Sequence, residues 1–250
     1  MRRTITLWAL SAAVAFAFAS HEASATGTDT RTDQPAGTTA QSPLGWTIAT
    51  RGTAKGIPAC ISCHGAHGEG NAAAGFPRLA DAGEDYLDAQ LAAFADGSRP
   101  STVMQPFARL MSKEGRTAVA RYFSRLAAPE TARRTDTADA APSDTGAWLA
   151  TRGRGQQGLP ACAQCHGPGG VGVGSAFPPL AGQPAAYITA QLHAWKTGKR
   201  PPGPMALMPN VASKLSDADI DAVARYYSEQ SGEQRGEQRA QQASATTGAK

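Results

Sequence analysis

The stretch Gly56-Ile-Pro-Ala-Cys-Ile-Ser-Cys-His-Gly65 returns 102 residues later as Gly158-Leu-Pro-Ala-Cys-Ala-Gln-Cys-His-Gly167. The likeness continues downstream. Phe76-Pro77 and Leu79 match Phe177-Pro178 and Leu180 at an offset of 101. Tyr86, Leu91, Phe94, Gly97, Arg99 and Pro100 match Tyr187, Leu192, Trp195, Gly198, Arg200 and Pro201. After a short insertion, Met104 aligns with Met208, and Ala118-Val-Ala-Arg-Tyr122 with Ala222-Val-Ala-Arg-Tyr226. Self-similarity at a fixed period means one folding unit present twice.

The pattern within each unit is helical. Leu87, Leu91 and Phe94 fall at i, i+4 and i+7, as do Ile188, Leu192 and Trp195, so each set lines one helix face. Pro184 suits the first turn of the second of these helices. A closing helix follows Ser112 in one unit and Ser216 in the other, and Ser216 and Asp219 have the spacing of a capping box. Val119, Tyr122, Phe123 and Leu126 form the apolar stripe of the first closing helix, with Pro129 beyond its end. The connections are rich in Gly and Pro and carry no strand pattern. The expected fold class is all-α: two tandem, small, loop-rich helical domains.

Cys60, Cys63 and His64, and again Cys162, Cys165 and His166, spell C-x-x-C-H, the attachment signature of c-type haem. Two thiols at this spacing form thioethers with the two vinyl groups of one porphyrin, and the following imidazole is delivered to the iron. The pairs use all four cysteines, which leaves none for a disulfide. A zinc site would need further thiol or imidazole ligands close by, whereas the second pair lies 102 residues away. Two covalently bound haem c groups are therefore expected. For the sixth iron ligand neither unit offers a repeated His: Gly169 stands opposite His67, and Ala92 opposite His193. Met104 and Met208 do repeat, each eight residues before a helix-opening Ser and in a Pro-flanked loop. Met111 and Met205 fall opposite Leu215 and Ser101, so core filling suits Met111. The axial ligands expected are His64 with Met104 and His166 with Met208, a pairing that raises the reduction potential.

Composition agrees with such an architecture. Hydrophobic residues make up 41% of the 250-residue chain, but aromatic residues only 6%. Small domains with so few large side chains need help to complete a core. Arg2 and Arg3, the apolar run from Ile5 to Ala19 and Ala23-Ser-Ala25 read as an export signal with its cleavage site. The run has 15 residues, short of the roughly 20 of a spanning helix. The expected layout is a signal peptide at 1–25, a flexible segment at 26–42, domain 1 at 43–128, a linker at 129–145, domain 2 at 146–229 and a disordered tail at 230–250. The net charge of +4 comes from scattered Arg and Lys, without the clustering of a nucleic-acid site, so no nucleic-acid partner is expected.

On Gly-x-Pro-Ala-Cys-x-x-Cys-His-Gly, Phe-Pro-x-Leu and the stretch following Met208, the halves resemble class I c-type cytochrome domains. The tandem from about residue 45 to 228 is similar to the dihaem cytochrome c4 family. The resemblance implies that the Pro of Phe-Pro-x-Leu, here Pro77 and Pro178, offers a carbonyl to the proximal imidazole. The first half departs at Asp81-Ala82, where the second keeps Gly182-Gln183. It also implies an exported, periplasmic one-electron carrier rather than an enzyme, soluble or loosely membrane-associated, taking electrons from a cytochrome bc complex to a terminal oxidase. The alternatives are the electron-accepting subunit of a periplasmic dehydrogenase and a dihaem peroxidase with one open iron.

Overall fold

The computed structural model describes residues 43–128 and 140–230. The expected signal peptide and flexible segment, most of the linker and nearly all of the tail lie outside the described residues. In the first half, α1 (Pro43–Arg51), α2 (Ile61–His64), α3 (Glu84–Asp96), α4 (Met104–Leu110) and α5 (Lys113–Ser124) follow in order. In the second, α6 (Thr145–Thr151), α7 (Ala163–His166), α8 (Ala185–Lys196), α9 (Leu207–Ser213) and α10 (Asp217–Ser228) repeat the same series. Packing repeats too: α5 takes α1 and α3, and α3 takes α4, as α10 takes α6 and α8, and α8 takes α9. Among the described residues, β structure is confined to isolated bridges such as Asn71–Phe76 and Val173–Phe177.

The closing helices organise both cores. Val119, Tyr122 and Phe123 of α5 pack with Ile48, Leu87 and Met111. Ile220, Val223 and Tyr227 of α10 pack with Leu149, Ile188 and Leu192. The opening helix can cross so closely only because a glycine faces the closing one. A Cβ on Gly45 would lie 2.2 Å from the Ala118 carbonyl oxygen, and one on Gly146 would lie 2.5 Å from that of Ala222. Ser112 caps α5 by accepting from the Gly115 N–H. Ser216 and Asp219 form a complete capping box on α10. Asp219 also accepts from both Arg154 Nη atoms, at 2.6 and 2.8 Å. The matched positions of the first half hold Thr53 and Gly115, so this ion pair exists once.

Three local expectations are corrected. Pro184 sits at the N-cap of α8, one position before its first turn. Met104 and Met208 are not in loops: Met104 opens α4, and Met208 is the second residue of α9. Pro106 and Pro209 fall in the first turns of these helices, where a missing N–H breaks no intrahelical bond. Leu126 lies beyond α5, which ends at Ser124, yet still packs on the first core.

The halves meet through a contact with near two-fold character. Arg99 donates to Tyr187 Oη at 3.1 Å and to Gln191 Oε1 at 2.6 Å. Arg200 donates to the matched Tyr86 Oη at 2.9 Å and to Gln90 Oε1 at 3.1 Å. Each guanidinium lies over an aromatic ring of its own half, Arg99 4.4 Å from the Phe94 centroid and Arg200 3.9 Å from that of Trp195. Other contacts occur on one side only. The Gln183 carboxamide accepts from Arg78 N at 3.0 Å and donates to Arg78 O at 2.9 Å. Ser175 O accepts from Tyr86 N at 3.0 Å, while the Ser175 hydroxyl donates to Asp85. Gly83 admits this loop, since a Cβ there would lie 2.1 Å from Ser175 O. The mirror of the Gln183 clamp cannot form, because Ala82 and Pro179 hold the matched places and Pro has no N–H.

The Arg154 hydrogen bond, with help from Ser216, holds the Asp219 carboxyl down to about 2. A depressed carboxyl contributes stability that is present above its unfolded pKa and lost as pH falls through the folded one. Asp219→Ala should therefore destabilise the second half by about 2 kcal/mol at neutral pH, from the lost cap and ion pair. In thermal melts as a function of pH, the gap between variant and parent should close as pH falls from about 4 toward about 2.

Candidate functional site

Each C-x-x-C-H motif folds as one short helical turn, α2 or α7, with the first cysteine at its N-cap. Helical spacing puts the first thiol, the second and the imidazole at i, i+3 and i+4, which share one face. The chain then doubles back. Gly70 N donates to His64 O at 2.7 Å, and Gly172 N to His166 O at 2.7 Å. This return brings Phe76-Pro77 and Phe177-Pro178 against the imidazoles, with ring centroids 6.1 Å apart for His64 and Phe76 and 6.3 Å apart for His166 and Phe177.

His64 is 5% exposed and His166 7%. Nδ1 of His64 lies 2.8 Å from Pro77 O, and Nδ1 of His166 lies 2.8 Å from Pro178 O. A carbonyl only accepts, so Nδ1 carries the proton and Nε2 keeps its lone pair. Burial lowers both imidazole pKa values, with the carbonyls acting in the opposite sense. Each ring is therefore a neutral, oriented donor, the state a metal ligand needs. Burial pushes the Cys60 and Cys162 thiols up to about 11. Among the described residues none of the four cysteines forms a disulfide, and no three His, Cys, Asp or Glu side chains converge as a closed metal site.

A cavity of about 430 Å³ opens in the first half beside Cys60, Cys63 and His64. Its walls are largely apolar, from Leu79, Leu87, Phe94, Phe107 and Val119, and Met104 borders it. Pro178 and Gln183 of the second half also line it, with Arg78, Arg99, Tyr187 and Arg200 at its polar part. In the second half Cys162 and Met208 pack against the core cluster. These residues fit a porphyrin tethered by two thioethers: paired thiols on one helical face, an imidazole with a free lone pair and an apolar chamber. The remaining sulfur and imidazole groups are placed differently. Met111 is buried in the first core, and Met205 is 82% exposed. His67 is exposed, and His193 lies on α8, 4.0 Å from an Asp217 carboxylate oxygen.

Several polar groups at the site were not singled out from sequence. Tyr86, Tyr187, Arg99 and Arg200 were visible as repeat matches, and their recurrence was the signal that could have found them. Gln183 was visible only as a departure between halves. Arg78, with Pro179 opposite, had no repeated partner to mark it.

Residues 51–127 match the family described as Cytochrome c, and residues 151–226 match Cytochrome C oxidase, cbb3-type, subunit III. A protein of Thiomonas intermedia named thiosulfate dehydrogenase electron acceptor is 47% identical over 194 residues, covering 75% of this chain and 84% of its own. The cytochrome c4 of Pseudomonas aeruginosa is 36% identical over 182 residues, covering 71% of this chain and 86% of its own. Among solved structures, the thiosulfate dehydrogenase of Marichromatium purpuratum in its as-isolated form superposes with a TM-score of 0.66 at 43% identity. That match covers 74% of this chain but only 39% of the longer one. Two cytochrome c domains with paired cysteines carry two covalent haem c groups and act as an electron carrier, not an enzyme. The chain belongs to the dihaem cytochrome c4 family.

Proposed function

We propose that this chain is a periplasmic electron acceptor for a dehydrogenase, and specifically for one that oxidises thiosulfate. The observation that carries this reading is the difference in similarity. The relative named for that role is 47% identical, against 36% for the cytochrome c4 of Pseudomonas aeruginosa. It favours a dehydrogenase over the expected cytochrome bc complex as donor. Onward delivery to a terminal oxidase completes this reading. Among the described residues no helix is long and apolar enough to cross a membrane.

In this reading His64 and Met104 bind the first iron, and His166 and Met208 the second. When bound, each haem supplies an iron that takes and returns one electron. The protein residues set how easily. Pro77 and Pro178 hold the imidazoles in one tautomer and orientation, which raises ligand basicity. The thioether of Met104 or Met208, as a ligand, would favour ferrous iron. The apolar walls exclude water from the first site, which limits reorganisation when charge arrives. With the imidazole and the thioether of each half both holding the group, no position would be left open for a substrate.

The donor is tested by mixing oxidised holoprotein with purified thiosulfate dehydrogenase and thiosulfate. Reduction of both haems on the timescale of enzyme turnover is expected. Slow reduction here, with fast reduction by a cytochrome bc complex, would restore the other donor.

The axial ligands are tested by substitution. Met208→Ala should abolish the weak long-wavelength sulfur-to-iron charge-transfer band of the second haem and lower its potential. Met104→Ala should do the same at the first. Met205→Ala and Met111→Ala should leave the band in place, and loss of the band in Met205→Ala with a silent Met208→Ala would overturn the assignment.

A further inference from the structure

Among the described residues, Arg78 is an unusual buried group. It is 2% exposed, and it lines the cavity beside Cys60, Cys63 and His64. Nε and both Nη atoms have no hydrogen-bond partner among the described residues. The neighbouring arginines differ: Arg99 and Arg200 are each bonded to tyrosine and glutamine oxygens. The backbone of Arg78 is no looser than its surroundings, since Gln183 clamps both its N–H and its carbonyl. A fixed, buried and unpaired guanidinium is costly unless an anion meets it. Burial lowers its pKa to about 10, against the pull of Asp81, and Asp81 itself is exposed.

No Asp or Glu lines this cavity among the described residues, whereas Arg78, Arg99, Lys199 and Arg200 do. The anion must come from what the cavity holds. A haem tethered through its vinyl edge to Cys60 and Cys63 turns its opposite edge, with two propionate carboxylates, away from those thiols. We propose that the Arg78 guanidinium is the counter-ion of a propionate of the first haem and selectively raises that haem's reduction potential. Guanidinium and carboxylate make charge-assisted, bidentate hydrogen bonds. A buried cation that neutralises a propionate stabilises the added electron on iron. Pro179 stands at the matched position of the second half, so the second haem has no equivalent. The device therefore separates two otherwise similar sites, whatever protein donates the electrons.

The test uses purified dihaem holoprotein, with each haem followed through its own methyl resonances during a redox titration. Arg78→Gln should lower the reduction equilibrium constant of the first haem about tenfold, which is about 59 mV for a one-electron couple. The second haem should hold its value. An unchanged first haem, or an equal fall in both, would overturn the proposal. Arg78→Lys keeps the charge but loses the fork, and serves also if the Gln variant fails to accumulate. Its first-haem potential should lie close to that of the parent. The propionate-bending mode in its resonance Raman spectrum should shift for one haem only. An unshifted mode would show that Arg78 does not touch a propionate.

Discussion

The hydrogen bond from each proximal imidazole to a proline carbonyl ties the motif helix to the loop that follows it. His64 and Pro77 are 13 residues apart, and His166 and Pro178 are 12. The bond closes a loop that backbone hydrogen bonds also brace from within. Leu79 and Ala80 N–H then both reach Gly68 O, as Leu180 and Ala181 reach Gly170 O. From that fixed loop the chain enters α3 or α8 at one angle, and α5 or α10 packs across it. The same bond settles which imidazole nitrogen is free, so folding and cofactor chemistry rest on one contact.

Much of this was legible in the sequence because it is local or repeated. The apolar spacing of Leu87, Leu91 and Phe94 marked α3, and Ser216 with Asp219 marked the start of α10. The motif cysteines and histidines needed no structure to be found. The opening helices α1 and α6 escaped notice, since they are short and rely on Gly45 and Gly146 lying against a distant carbonyl. The helices around Met104 and Met208 were hidden by flanking prolines that local rules read as loop. The interface was least legible of all. Arg200 and Tyr86 are 114 residues apart, and no periodicity records such a pairing.

The donor illustrates a separate limit. The motifs that specify haem attachment are shared by cytochromes with many partners, so they fix the cofactor and not the company it keeps. A bc complex and a dehydrogenase would both find the same covalent haems and the same imidazole supports. What distinguishes partners is surface shape and charge, which the repeat does not constrain. Whole-chain similarity carries that information better than any single motif, and it favours the dehydrogenase.

The interface has two kinds of contact, and the difference bears on whether the halves are interchangeable. The Tyr86–Arg200 and Tyr187–Arg99 pairs are self-complementary, the form taken when two identical subunits meet about a dyad. A dimer of separate single-domain proteins could make them. The Gln183 clamp on Arg78 and the Ser175 contact with Asp85 need unlike partners, which two identical halves could not supply. Overwriting either half with the other would keep the symmetric pairs and lose the clamp: two first halves lack the glutamine, and two second halves lack the N–H it holds. The two halves are therefore not interchangeable, and each fits only its own place in the chain.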